Sequence, residues 1–370
     1  MPRFTLLVGS ADFWAQAEAD IAAARRRVLV QAMTFEGDDA GGAVSRAVTA
    51  SSAADRRVLV DDYTRFVVSD HFVYSPHYLL DPAFRAEVTA TRGMFGAMAR
   101  AGIGVRVTNP SGPLLAGFAF RNHKKLIVAD NAAFLGGINF SDHNFAWHDL
   151  MLRIDDAQVS DLLAADFDAT YTGRGESWTT EAGDITLYGL DGRDNHARFA
   201  EIIALIDGAE QEISVVSPYL TFPFTDALAR ASGRGVKVTL VTPLANNKPV
   251  VRDYLIWTAA RAGFEVLLTR EMIHLKGMLI DNRRLVLGSS NFDFVSYWIE
   301  EELVAVISNQ DLVAEFRERV LEPLAAEALP AAAARVSPGR GRRAAALLGA
   351  AGWLLGLGLP VRRTSVAWRG

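Results

Sequence analysis

His123, Lys125 and Asp130 stand at spacings that recur as His274, Lys276 and Asp281. An imidazole can attack phosphorus or hand a proton to a departing alcohol, and an ammonium two residues away can neutralise phosphate charge. The chain is poor in both residue types. It has five lysines (Lys124, Lys125, Lys237, Lys248, Lys276) and seven histidines. At those frequencies a chance His-x-Lys is expected in roughly a tenth of chains of this length. Two copies with matched aspartates therefore mark a duplicated site. Gly136-Gly137-Ile138-Asn139 follows the first copy and Gly288-Ser289-Ser290-Asn291 the second.

Two such pairs suit a phosphodiester. One neutral imidazole attacks phosphorus while a second, protonated, supplies the leaving group's proton. The lysines and the amides of Asn139 and Asn291 can hold non-bridging oxygens as charge builds. This chemistry needs no metal and no cofactor. A lone His-x-Lys is ordinarily an exposed pair on a strand, and only the repetition with downstream asparagines argues otherwise. His71, His77, His143, His148 and His196 have no repeated partner and read as structural or exposed. No zinc-type spacing recurs among them. Cysteine is absent, which excludes a thiol nucleophile and a disulfide framework and leaves the redox compartment open.

The elements must bring these residues together. Residues two apart on a strand share a face, so His123 and Lys125 are expected to project together, as are His274 and Lys276. The apolar Leu126-Ile127-Val128 and Met278-Leu279-Ile280 then bury each strand. The same order of elements occurs twice: a helical segment (11–26 and 196–209), an apolar strand (28–33 and 213–216), a second strand (57–60 and 236–241), a helix, a glycine-led strand and the motif. An α/β fold follows, with two similar lobes, each a mixed β-sheet flanked by helices. If the lobes are related by a pseudo-twofold, both pairs face one pocket at the lobe interface. The expected organisation is an N-terminal lobe at 1–155, a glycine-rich polar linker at 156–195, a C-terminal lobe at 196–330 and a basic apolar tail at 331–370. The first half carries two surplus segments, an aromatic one around Phe66 to Phe84 and a Gly/Pro loop from Ser111 to Phe120. Each reads either as a functional loop or as packing on its own lobe.

Net charge is −5, but residues 335–370 hold seven arginines and no acid, leaving −12 for residues 1–334. An acidic body disfavours general nucleic-acid binding, which rests on neutralising phosphates. The apolar stretch near the N-terminus is too short for a cleavable signal. In the tail, 344–361 as a helix would reach about 27 Å, marginal for a bilayer core of about 30 Å. Its glycines and Pro360 are expected to weaken a continuous helix. Arginines at both ends fit shallow contact with anionic lipid, the alternatives being a spanning anchor or a tail that is disordered or packed on the lobe.

The duplicated motif, position for position, resembles the HKD motif of the phospholipase D superfamily. The resemblance implies a phosphohistidine formed on one of His123 and His274, with the other as acid/base. Nothing in the residues ranks them; His123 is taken as nucleophile. Asp130 and Asp281 are expected at the far strand ends, stabilising the lobes. The continuation Gly288, Ser289, Asn291, Phe292, Asp293, Ser296 and Glu302 is similar to that of cardiolipin synthase-like members, as is Gly136, Gly137, Asn139, Trp147 and Asp149 after the first motif. Asp149 and Glu302 are thereby assigned as carboxylates that orient the imidazoles, each extending the half-site it follows. The implied protein is a phosphodiesterase or phosphatidyltransferase acting on phospholipids at a membrane surface, cytoplasmic and peripheral to the inner membrane, with no obligate protein partner. The alternatives are a nuclease of the same superfamily and a non-catalytic lipid-binding relative.

Overall fold

A computed structural model describes residues 2–115, 117–357 and 363–368. The chain divides into two compact units: Met1–Ala146, Leu150–Glu176 and Arg362–Gly370 form the first, and Trp147–Asp149 with Ser177–Val361 the second.

The first unit begins β1 (Arg3–Val8), α1 (Ser10–Ala23), β2 (Arg27–Ala32), α2 (Asp39–Ala50) and β3 (Asp55–Asp61). The aromatic surplus segment follows as α3 (Tyr63–Phe66), β4 (Val67–Val68), β5 (His71–Phe72) and α4 (Pro76–Leu79), leading into α5 (Pro82–Arg100) and β6 (Gly104–Thr108). The hairpin β7 (Leu126–Ala129) and β8 (Ala132–Gly136), then α6 (Asp142–Ala146), β9 (Leu150–Asp155) and α7 (Ala157–Tyr171) complete the consecutive part. The second unit runs β10 (Trp178–Ala182), β11 (Ile185–Leu190), α8 (Asn195–Asp207), β12 (Glu212–Val216), α9 (Phe224–Gly233), β13 (Lys237–Pro243), α10 (Pro249–Ala262) and β14 (Glu265–Thr269). It continues with β15 (Gly277–Ile280), β16 (Arg284–Gly288), α11 (Phe294–Trp298), β17 (Glu302–Ile307), α12 (Gln310–Phe316), α13 (Glu322–Glu327), β18 (Leu329–Pro330) and α14 (Pro338–Gly356). The last strand, β19 (Ser365–Ala367), returns to the first unit.

Each unit is an α/β lobe on a mixed sheet. The first has the order β1-β9-β8-β7-β2-β3-β6-β19, the second β10-β11-β17-β16-β15-β12-β13-β14-β18. In both, the early strands joined through helices pair in parallel (β2 with β3 and β3 with β6; β12 with β13 and β13 with β14), while the motif hairpin pairs antiparallel. Alternation along the strands divides the two faces. In β2, Val28, Val30 and Ala32 join Phe13 of α1, Val44 of α2 and Phe95 of α5 in one apolar core. The opposite face of this sheet is covered by α7, which lies against β2, β6, β7, β8 and β9. In the second unit Phe199 of α8, Phe224 of α9 and Leu255 of α10 play the corresponding part.

Two expectations meet a different structure. Residues 156–195 contain α7, β10 and β11. Three of their glycines serve the turns between elements, Gly173, Gly183 and Gly192 having φ of 72°, 60° and 78°. Up to Gly356 the tail glycines do not interrupt α14, because two of them let it pack, while Gly358 and Pro360 lie outside the described residues. A Cβ on Gly341 would lie 2.3 Å from Trp257 of α10, and one on Gly352 would lie 2.4 Å from Phe222. Arg340 adds an ion pair with Asp253 at 2.6 Å. The two surplus segments of the first half meet each other: the Phe118 ring lies 5.8 Å from Tyr63, 6.1 Å from Phe66 and 6.4 Å from Phe72. Among the described residues no helix is long and apolar enough to cross a membrane.

Candidate active site

Both His-x-Lys pairs lie in the extended residues leading into β7 and β15 rather than in the sheet ladder itself. The apolar strands behind them are fully buried and fix the direction of these leads. In each copy the lysine folds back on its own histidine. Lys125 Nζ donates to the His123 carbonyl at 2.7 Å, and Lys276 Nζ to that of His274. All four residues are buried.

The motif aspartates sit one strand length away. Asp130 and Asp281 open the turns of the two hairpins with φ of 49° and 50°, a left-handed conformation that aspartate tolerates better than most residues. Asp130 accepts the backbone N–H groups of Arg25, Arg26 and Arg27 at 2.9, 2.8 and 2.9 Å. Asp281 accepts those of Glu210, Gln211 and Glu212 at 2.9, 2.8 and 3.0 Å. Partial burial alone would raise both carboxyls, but the three N–H donors hold each below the usual carboxylate range. Both aspartates thus tie the motif hairpin to the start of the neighbouring strand.

Glycine after the motif is also explained by close approach. A Cβ on Gly136 would meet the Leu150 carbonyl at 2.4 Å, and one on Gly288 the Leu303 carbonyl at 2.2 Å. That proximity lets Gly137 N–H donate to Leu150 O at 3.1 Å and Ser289 N–H to Leu303 O at 2.9 Å, so the chain turns toward Asn139 and Asn291 along the same path. Asn139 Oδ1 accepts from Thr34 N–H at 3.2 Å, and its Nδ2 donates to Asn144 at 3.4 Å. Asn291 is buried with Oδ1 unpartnered.

In the second unit the motif lead has a partner segment. The extended Trp147–Asp149 runs alongside the motif lead, with His148 N–H donating to Met272 O at 3.2 Å and His274 N–H to His148 O at 2.8 Å. This places Asp149 Oδ2 2.8 Å from His274 Nδ1 and 3.9 Å from Lys276 Nζ. Lys276 Nζ is also 2.6 and 2.9 Å from the two ring nitrogens of His274. Trp147 and Tyr219 flank the imidazole, with ring centroids at 5.2 and 6.0 Å. Asp149 follows the first motif in sequence, yet it hydrogen-bonds the histidine of the second. It reaches His274 because backbone pairing of residues 147–149 beside 272–274 carries its side chain there.

Glu302 is fully buried, accepting from Ser289 Oγ and from Ser296 Oγ at 2.6 Å. Asp293 caps α11 through Ser296 N–H at 2.8 Å. Burial, joined by the Glu302 charge, pushes Asp293 above the usual carboxylate range, against the Ser296 N–H and the Lys248 charge.

Two residues near His274 escaped the sequence reading. Tyr219 sits in the loop after β12, its hydroxyl donating to Asn247 Oδ1 at 2.6 Å, and Lys248 lies over its ring at 4.0 Å. Lysine scarcity, the signal that exposes the motif, singles out Lys248 as well; nothing in the spacing marks Tyr219. Within either unit taken alone, no three His, Asp or Glu ligand atoms among the described residues converge to hold a metal ion.

The chain is 27% identical over 259 residues to the minor cardiolipin synthase of Bacillus subtilis, a match covering 61% of this chain and 62% of that protein. It is 25% identical over 364 residues to cardiolipin synthase B of Escherichia coli K12, covering 88% of this chain and 81% of that one. Its fold is similar to that of phosphatidylserine synthase from Haemophilus influenzae, with a TM-score of 0.71 at 16% identity over 96% of this chain and 95% of the other. The family model described as "Cardiolipin synthase, PLD-like domain" matches residues 18–171 and 202–322. With both motifs inside those spans, the chain belongs to the phospholipase D superfamily, in the family of cardiolipin synthase PLD-like domains.

Proposed function

We propose that this phospholipase D-like enzyme transfers the phosphatidyl group of a phospholipid through a phosphohistidine. The observation that carries the reading is the buried Asp149–His274 pair with Lys276 beside it, belonging to a motif that the chain holds twice. A carboxylate on Nδ1 orients an imidazole and leaves Nε2 for chemistry. One histidine attacks phosphorus as the leaving alcohol takes a proton from the other. The second imidazole, now neutral, then removes the proton of the incoming alcohol or water, which displaces the phosphohistidine. His123 is taken as nucleophile and His274 as acid/base, with Glu302, fixed by two serine hydroxyls, as the further orienting carboxylate. Lys125, Lys276, Asn139 and Asn291 stabilise the charge on phosphate.

The names of the relatives support a phosphatidyl donor and an acceptor bearing a hydroxyl group. The membrane surface is the proposed site of work, and no metal enters the scheme. Product analysis by mass spectrometry tests it. Phosphatidylglycerol is supplied with isotopically labelled glycerol or a second phosphatidylglycerol as acceptor, in competition with water and with a chelator present. Transfer product at an unchanged rate is expected. Absence of turnover for every phospholipid class, or cleavage of nucleic acid in its place, overturns the reading.

A further inference from the structure

We propose that the outward face of α14 docks on the surface of an anionic lipid bilayer. The inference goes beyond the chemistry proposed above and does not depend on it.

The helix is apolar on two sides. Its inner side, with Gly341, Ala344 and Gly352 buried, packs on Trp257 and Phe222. The outer side leaves Leu347, Trp353, Leu354 and Leu357 exposed at 63%, 66%, 54% and 62%. Positions 347, 350, 353, 354 and 357 follow helical spacing, so these residues make one stripe with Ala350 between them. Scattered exposed apolar residues need no explanation, whereas a continuous stripe that includes a tryptophan does. Charge points to the occupant. Arg342 and Arg343 are exposed one turn before the stripe, and residues 335–370 contain no acid although the rest of the chain is strongly acidic. A second copy applied through this face would bring no carboxylate of its own α14 to those arginines. An anionic headgroup layer supplies both counter-charge and an apolar layer just beneath it. Because Trp257 and Phe222 hold the inner side, the bilayer receives only the outer side, and insertion is shallow.

The full chain is floated with vesicles of phosphatidylcholine alone or mixed with phosphatidylglycerol. Binding to the mixed vesicles, weakened by salt, is expected. Two double variants, Leu347→Gln with Leu354→Gln and Arg342→Gln with Arg343→Gln, should each reduce the bound fraction about tenfold or more. Quenching of tryptophan fluorescence by brominated lipid should fall in Trp353→Phe. Turnover of a dispersed short-chain phospholipid should be unchanged in all of these variants. Vesicle binding without any turnover would retain the docking face while overturning the proposed reaction. Equal binding by wild type and both double variants overturns the docking face. So does failure of the wild type to float, or a concentration-dependent dimer that the leucine variant abolishes, which would seat a second copy there.

Discussion

Between its histidine and lysine, the first motif holds Lys124 and the second Leu275. Lys124 Nζ makes a buried ion pair with both carboxylate oxygens of Asp166 on α7 at 2.8 Å. Leu275 is buried among apolar neighbours, and a Cβ on Gly277 would meet both it and Phe316 of α12. Around this difference the backbone devices are the same: the lysine folded onto its histidine carbonyl, the aspartate gathering three N–H groups and the glycine under a neighbouring carbonyl. Duplication has kept what the main chain requires and released what side chains can satisfy in more than one way. The neighbourhoods of Asn139 and Asn291 diverge likewise. Glu36 N–H donates to Phe140 O at 2.9 Å as Thr221 N–H does to Phe292 O at 3.1 Å, yet only the first unit has an ionisable group at that position. Around Glu36 the aromatic surplus segment contributes Ser69, whose N–H donates to both carboxylate oxygens and whose Oγ donates to Glu87 of α5.

The largest test of equivalence is loss of either imidazole. His123→Asn and His274→Asn should each reduce turnover about 10⁴-fold or more, and a variant retaining appreciable transfer would make the two half-sites unequal partners in chemistry. Asp149→Asn should lower turnover by about 10- to 100-fold and alter the pH profile of the reaction. A loss confined to KM would assign Asp149 a binding role.

The contrast at Lys124 and Leu275 can be broken through stability. Asp166→Leu leaves an ammonium buried without its carboxylate and should destabilise by about 3–5 kcal/mol, while adding Lys124→Leu should restore most of that, as urea unfolding would show. Failure of the double variant to recover would mean that the pair contributes more than charge balance.

A last contrast concerns Glu36. Burial raises its carboxyl from the ordinary 4.5 to about 8, the Ser69 N–H opposing and the Asp38, Glu87 and Asp70 charges adding to the rise. The folded state therefore favours the protonated form. That contribution is complete below pH 4.5 and fades as pH climbs toward 8. Glu36→Gln should flatten thermal stability across this window and leave the variant more stable than wild type near pH 8 to 9; a slope as steep as wild type would place the titration elsewhere.

Much of this frame was legible in the residues. The repeated motif sits where local periodicity and turn chemistry operate: four apolar residues for a buried strand, an aspartate for a left-handed turn and a glycine for close approach. Two α/β lobes followed from repeated element order. The glycines misled, because composition does not distinguish a glycine that loosens a helix from Gly341 and Gly352, which admit aromatic rings. Proximity in sequence also misled for Asp149, which follows the first motif but hydrogen-bonds the histidine of the second.

Local sequence was enough for the superfamily and for the duplicated strand-turn-glycine frame, because each depends on residues only a few positions apart. Tertiary structure alone decided which carboxylate meets His274, that Tyr219 flanks it, that Phe118 joins the two surplus segments and that one side of α14 is covered while the other is bare. These depend on pairings across tens to hundreds of residues, which are set by packing and backbone hydrogen bonds that no local pattern encodes.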